Sequence, residues 1–144
     1  MKKSIVITVG ALILFAGGFL RAETDEEVDV HKSVLDLAGA FSNDGFKIRD
    51  GYWVGTIKPQ EHVLVAVNLY AGNQYWFSAA SNSKAKKISV AVYDESGKPV
   101  VTEAYDSGER ASAGFSPTNS GQYFVSIGLV EGAAAPVCLV YSYK

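Results

Sequence analysis

Of 144 residues only one is a cysteine, Cys138, so no internal disulfide can form and the fold must be held by its core. Its neighbours in PVCLVYSY are apolar, which marks the thiol as a buried small hydrophobe. There are only two histidines, His31 and His62, and the closely spaced ligand pairs of zinc sites are missing. Glycine-rich phosphate loops and EF-hand spacing are also absent. Positive charge is scarce: without Lys2, Lys3 and Arg21, residues 23–144 hold 10 basic and 15 acidic side chains. A net charge of −5 argues against nucleic acid as a partner, since phosphate binding needs a cationic surface.

The apolar run at residues 5–20 is shorter than the roughly 20 residues a spanning helix needs, and Gly10, Gly17 and Gly18 interrupt it. Lys2 and Lys3 precede it and Ala22 follows. This is the layout of a signal peptide over residues 1–22, with an uncleaved anchor as the alternative. No cysteine near residue 22 offers a lipid attachment site. The expected location is secreted or periplasmic, with no stable membrane span after cleavage.

The remaining 122 residues fit one domain. Residues 23–45 are expected to form an acidic, mobile tail (ETDEEVD) followed by an amphipathic helix near residues 30–43. Val30, Val34, Leu37, Ala38 and Phe41 recur at helical spacing, and SNDG ends the pattern. From residue 46 to 144 the pattern becomes short β-branched and aromatic runs separated by turn residues. Strands are expected near 52–57, 61–70, 74–80, 87–93, 99–105, 110–116, 122–128 and 136–143. About eight such strands predict an all-β, jelly-roll-like antiparallel sandwich.

Alternation assigns an inner face. Val63, Val65, Val67, Leu69, Tyr75, Phe77, Ile88, Val90 and Val92 point inward, as do Tyr123, Val125, Ile127, Val137, Leu139 and Tyr141. The opposite positions include Leu64, Ala66, Tyr70, Trp76, Ala91, Phe124 and Val140. A solvated face is normally more polar, so part of this one is expected to be covered. The helix face bearing Val34, Leu37 and Phe41 is the candidate cover, over Trp76.

The order of motifs resembles the bacterial pre-peptidase C-terminal domain, a small β-sandwich often appended to secreted enzymes. The matching stretches are Leu69-Tyr70-Ala71-Gly72 with Gln74-Tyr75-Trp76-Phe77, then Val90-Ala91-Val92-Tyr93-Asp94 with Gly97, then Ser120-Gly121-Gln122-Tyr123-Phe124-Val125. They span most of residues 51–143. The family's D-x-Y-x-F opening is replaced here by EHVLVAVNLY, so no role of that acidic position is carried over. The resemblance implies a noncatalytic accessory fold, sometimes used to bind polymers such as polysaccharide or collagen.

Catalysis needs a nucleophile, proton-transfer groups or a metal arranged together. Cys138 could pair with a histidine only if it were not buried. Asp94 and Glu95, and Asp106 and Glu109, sit in turns, where such residues are common for backbone reasons. Their sharper readings are a calcium site or dispersed catalytic carboxylates. Lys84, Lys86 and Lys87 read as a solvated loop or charged sheet edge, with an acidic polymer as the alternative.

No enzyme activity and no cofactor are expected. The aromatics Trp53, Tyr70 and Trp76, with Tyr52 beside them, are the candidate ligand- or partner-binding residues. The expected function is a noncatalytic module for protein interaction or envelope assembly. The alternative is a polysaccharide-binding module using exposed aromatic rings.

Overall fold

The computed structural model describes residues 23–144, so the signal-peptide expectation for residues 1–22 lies outside the described residues. A helix, α1 (Asp25–Gly39), and a short 3-10 turn (Ser42–Asp44) precede nine strands. These are β1 (Lys47–Ile48), β2 (Trp53–Ile57), β3 (His62–Leu69), β4 (Tyr75–Ala80), β5 (Ala85–Tyr93), β6 (Glu103–Ser107), β7 (Arg110–Phe115), β8 (Gly121–Gly132) and β9 (Ala135–Tyr143). The larger sheet runs β1-β9-β4-β7-β6, with β2 also paired to β9, and the smaller runs β3-β8-β5. All strand pairs are antiparallel.

The inner faces of the two sheets close on one core. Val67 and Leu69 from β3, Ile88 and Val92 from β5, and Val125 and Ile127 from β8 meet Tyr75, Phe77, Ala113, Val137 and Leu139 from the larger sheet. Every residue assigned inward from alternation belongs to this cluster or packs against it. Val63, Val65 and Tyr141 are the half-buried members at its margin.

α1 begins earlier than expected, and the acidic run is not a tail. The Thr24 hydroxyl accepts a hydrogen bond from the Glu27 amide at 3.1 Å, and the Glu27 carboxylate accepts one from the Thr24 amide at 2.9 Å. This capping box satisfies two otherwise orphaned donors, and Asp25, Glu26 and Glu27 lie in the first turn, where the helix dipole favours negative charge. Val30, Val34 and Ala38 bury against Ala80, Cys138 and Val140, which point away from the main core, with Val54 alongside. The helix therefore covers part of the outer face of the larger sheet. Beyond its C-terminus, Phe41 stacks on Trp76 at 4.3 Å between ring centroids.

One further expectation is corrected, and one strand is additional to those expected. The run at 99–105 is a strand only from Glu103, because the chain crosses between sheets before it: Pro99 bridges to Tyr93 of the smaller sheet, and β6 then joins the larger one. β1 is only two residues long and too short to show a periodicity, yet it pairs with Ser142 and Tyr143.

Val34 is fully buried between helix and sheet. Val34→Ala is expected to cost about 2 kcal/mol, lowering the melting midpoint by roughly 6–12 °C for a domain of this size. An unchanged thermal melt would mean that the helix does not depend on this contact.

Candidate protein-docking face

The two outer faces differ in what covers them. α1 packs on β9, β4 and β2 of the larger sheet. No helix among the described residues packs on the outer face of β3-β8-β5. Register places Ala66, Phe124 and Tyr93 in one row across that face, and Leu64, Ser126 and Ala91 in the next. Leu64 is 62% exposed, and Val130, outward on β8, is 57% exposed. Leu64, Phe124 and Tyr93, on adjacent rows of this face, form an apolar group unlike the single exposed hydrophobics of ordinary surfaces.

A groove of about 470 Å³ lies on this face, lined by His62, Leu64, Tyr93, Glu95, Ser96, Gly97, Phe124 and Ser126. His62 Nδ1 lies 3.3 Å from the Ser126 hydroxyl, which ties β3 to β8 at the groove. One wall is the β5 hairpin loop, and Asp94 holds it. The Asp94 carboxylate accepts from the Ser96 amide at 2.9 Å, the Ser96 hydroxyl at 2.7 Å and the Lys98 amide at 3.0 Å. These bonds, that of the Ser96 hydroxyl first, favour the ionised form and hold Asp94 below the ordinary carboxylate value. The loop is thus shaped before any partner arrives, which reduces the ordering cost of binding.

The three aromatic candidates do not form one platform. Tyr70 follows β3 in the outward phase and is 60% exposed, and its backbone is fixed by an amide donation to the Tyr75 hydroxyl at 2.9 Å. Trp53 pairs opposite inward-facing Leu139 and packs against the main core. Trp76 is on the outer face of the larger sheet, but both faces of its ring are occupied. Three carbons of its benzo ring lie 3.0–3.1 Å from where a Cβ on Gly114 would sit, so the ring lies face-on over that glycine. Phe41 stacks at 12° to the Trp76 ring plane, on the far side from Gly114. Tyr52 stacks on His31 at 3.8 Å and donates to the Glu23 carboxylate.

Other candidate groups are dispersed. Cys138, on β9, is buried beneath α1, and burial, with the Glu23 carboxylate second, pushes its thiol up to about 12. Such a thiol is protonated at neutral pH and is a poor nucleophile. Asp106 is on β6 and Glu109 in the turn after it, while Asp94 caps its own loop. Among the described residues no group of three or more His, Cys, Asp or Glu side chains is arranged to hold a metal ion. Lys84 pairs with Glu26 at 3.2 Å, tying the helix to the β4–β5 connection, whereas Lys86 and Lys87 lie in β5. What the sequence reading missed was that Leu64, Tyr93, Phe124 and Ser126 share one groove. Their outward phase was visible, but the pairing order was not.

No known protein-family description matches the chain, and no curated protein matches it. Among solved structures it is similar to Aeromonas hydrophila PliG, a periplasmic lysozyme inhibitor of g-type lysozyme. The identity is 15%, the match covers 65% of this chain and 85% of that one, and the TM-score is 0.46. No residue role is transferred from it.

Because the folded Asp94 pKa is depressed, its support for the loop is complete above its ordinary value of 3.8 and is lost as pH falls through the lower folded value. Amide exchange followed by NMR is expected to show protected Ser96 and Lys98 amides at pH 5–7, with Asp94→Ala removing that protection and leaving β5 intact. Equal exchange in both proteins would contradict the capping role.

Proposed function

We propose that the chain is a noncatalytic, exported β-sandwich module that binds a protein partner through the outer face of β3-β8-β5. The observation that carries this reading is the contrast between the two sheets: one outer face has its cover in α1, and the other leaves Leu64, Tyr93 and Phe124 along an open groove. Glu61 beside β3 and Glu95 in the groove add negative charge at the rim, in a stretch of net charge −5 over residues 23–144. The partner that fits is a folded protein with an apolar protrusion ringed by basic side chains. Opposite charges at such a rim steer encounter while the apolar centre supplies affinity.

Export rests on the leader-like residues 1–22. Among the described residues no helix is long and apolar enough to cross a membrane. The order of hairpin motifs supports an accessory sandwich of the pre-peptidase C-terminal kind. Two of those motifs meet in space, since the Ala71 amide donates to the Ser120 hydroxyl at 2.8 Å. A polysaccharide role would fall to Tyr70, because the ring faces of Trp76 are occupied and Trp53 packs inward.

The test starts from a photo-crosslinker placed at Leu64 in the native cell, with Val28 on the helix as the control site. A discrete protein adduct is expected from position 64 alone. The purified partner should then bind the wild type and bind Leu64→Asp and Phe124→Asp at least about tenfold more weakly, as loss of an apolar anchor predicts. Unchanged affinity in both variants, with native melting curves, would overturn the assignment of this face. Retention on insoluble polysaccharide that Tyr70→Ala abolishes would favour the polymer reading instead.

A further inference from the structure

The larger sheet ends in β6, and this edge is open. All five of its residues are exposed, and its one ladder neighbour is β7. Just before it, Val101 is 95% exposed. Among the described residues, no backbone hydrogen bond other than the β7 ladder involves residues 101–107. An edge with unpaired amides and carbonyls is a template for a further strand.

The edge is also held in position. Ser107 pairs with Arg110 across a two-residue turn that begins with Gly108 at φ +61, the place where type II′ turns require a positive φ. The Gly108 carbonyl accepts from the Ile88 amide at 3.0 Å and the Glu109 carbonyl from the Ser81 amide at 2.8 Å, so the hairpin end is fastened to β5 and to the end of β4. With Ser107 and Arg110 as the closing hydrogen-bonded pair, alternation directs Tyr105 and Glu103 toward β7. Ala104 and Asp106 then present their amides and carbonyls to the free edge.

Charge selects among possible occupants. Residues 101–107 contain Glu103 and Asp106 and no lysine or arginine. A second copy of β6 would bring two carboxylates to each face of one short ladder, and like charges on the same face of neighbouring strands are destabilising. At the start of the strand, Val101, Thr102 and Glu103 wall a groove of about 300 Å³ with Trp76 and Phe115. That groove offers one apolar side chain of an added segment a place to settle.

From this edge, its anchoring and its charge, we infer that β6 captures an extended, basic segment of a partner protein by strand addition. Main-chain hydrogen bonds give the affinity, and Glu103 on one face of β6 and Asp106 on the other select lysine or arginine on the matching faces of the incoming strand. The inference shares with the proposed function the premise of a protein partner, but it uses a different surface, so each can fail alone.

The probe is the synthetic heptapeptide Val-Lys-Val-Val-Lys-Val-Val, whose lysines three apart fall on opposite faces as Glu103 and Asp106 do, added to the protein spanning residues 23–144, with the same peptide carrying glutamate for lysine as control. Hydrogen exchange is expected to show protection of amides in residues 101–107 by the lysine peptide only. Ala104→Pro, which removes an outward amide without touching the β7 ladder, should abolish that protection. The double variant Glu103→Lys, Asp106→Lys should reverse the preference toward the glutamate peptide, with an unchanged melting midpoint. Absence of binding would overturn the inference, as would lysine-peptide binding that protects β3-β8-β5 instead or that survives Ala104→Pro. None of these outcomes bears on the Leu64 and Phe124 variants.

Discussion

The structure depends on one contact: the apolar stripe of α1 against the side of β4 and β9 that faces away from the sandwich core. Ala80, Cys138 and Val140 are outward by strand alternation, yet all three are buried, because Val30, Val34 and Ala38 lie on them. A single helix of 15 residues is marginal in water by its own hydrogen bonds, so helix and sheet stabilise each other. The capping box at Thr24 and Glu27 sets where the helix starts, and the Lys84–Glu26 pair fastens its first turn to the strand connection beneath. That ion pair is half exposed and contributes little by itself. The buried stripe dominates.

This contact makes the molecule two-sided. The larger sheet is covered by α1 and, beyond it, by Phe41 on Trp76. A tryptophan packed between a glycine backbone and a phenylalanine ring has no flat face left for a ligand, and its work is to extend the cover toward β7. The smaller sheet has no comparable element. Its aromatic and aliphatic side chains and the preformed Asp94 loop therefore make the surface on which a partner would gain most from excluding water.

Much of the fold was legible from period-two alternation. Phe77, Val125, Ile127, Val137 and Leu139 all lie in the core as their phase required, because inverting the phase of a strand would expose its whole apolar set. Alternation cannot tell which sheet a strand joins, however. Val140 and Leu64 look alike in sequence, as apolar residues in the outward phase, but one is 2% exposed beneath the helix and the other 62% exposed. Their difference arises from pairing order, a long-range property. The run at 99–105 shows a related limit: Val100 packs on the core while Val101 stands in solvent, and there the chain is changing sheets. The helix start was legible in principle, since a threonine followed three residues later by glutamate is a capping signature, but the density of acidic residues suggested a solvated tail.

The most direct measurement removes the cover. A chain lacking residues 23–45 should melt at lower temperature, shift its tryptophan emission to longer wavelength as Trp76 loses Phe41, and self-associate through the bared Ala80, Cys138 and Val140. A monomer with the melting midpoint and emission maximum of the full domain would contradict the central role given to the helix–sheet contact.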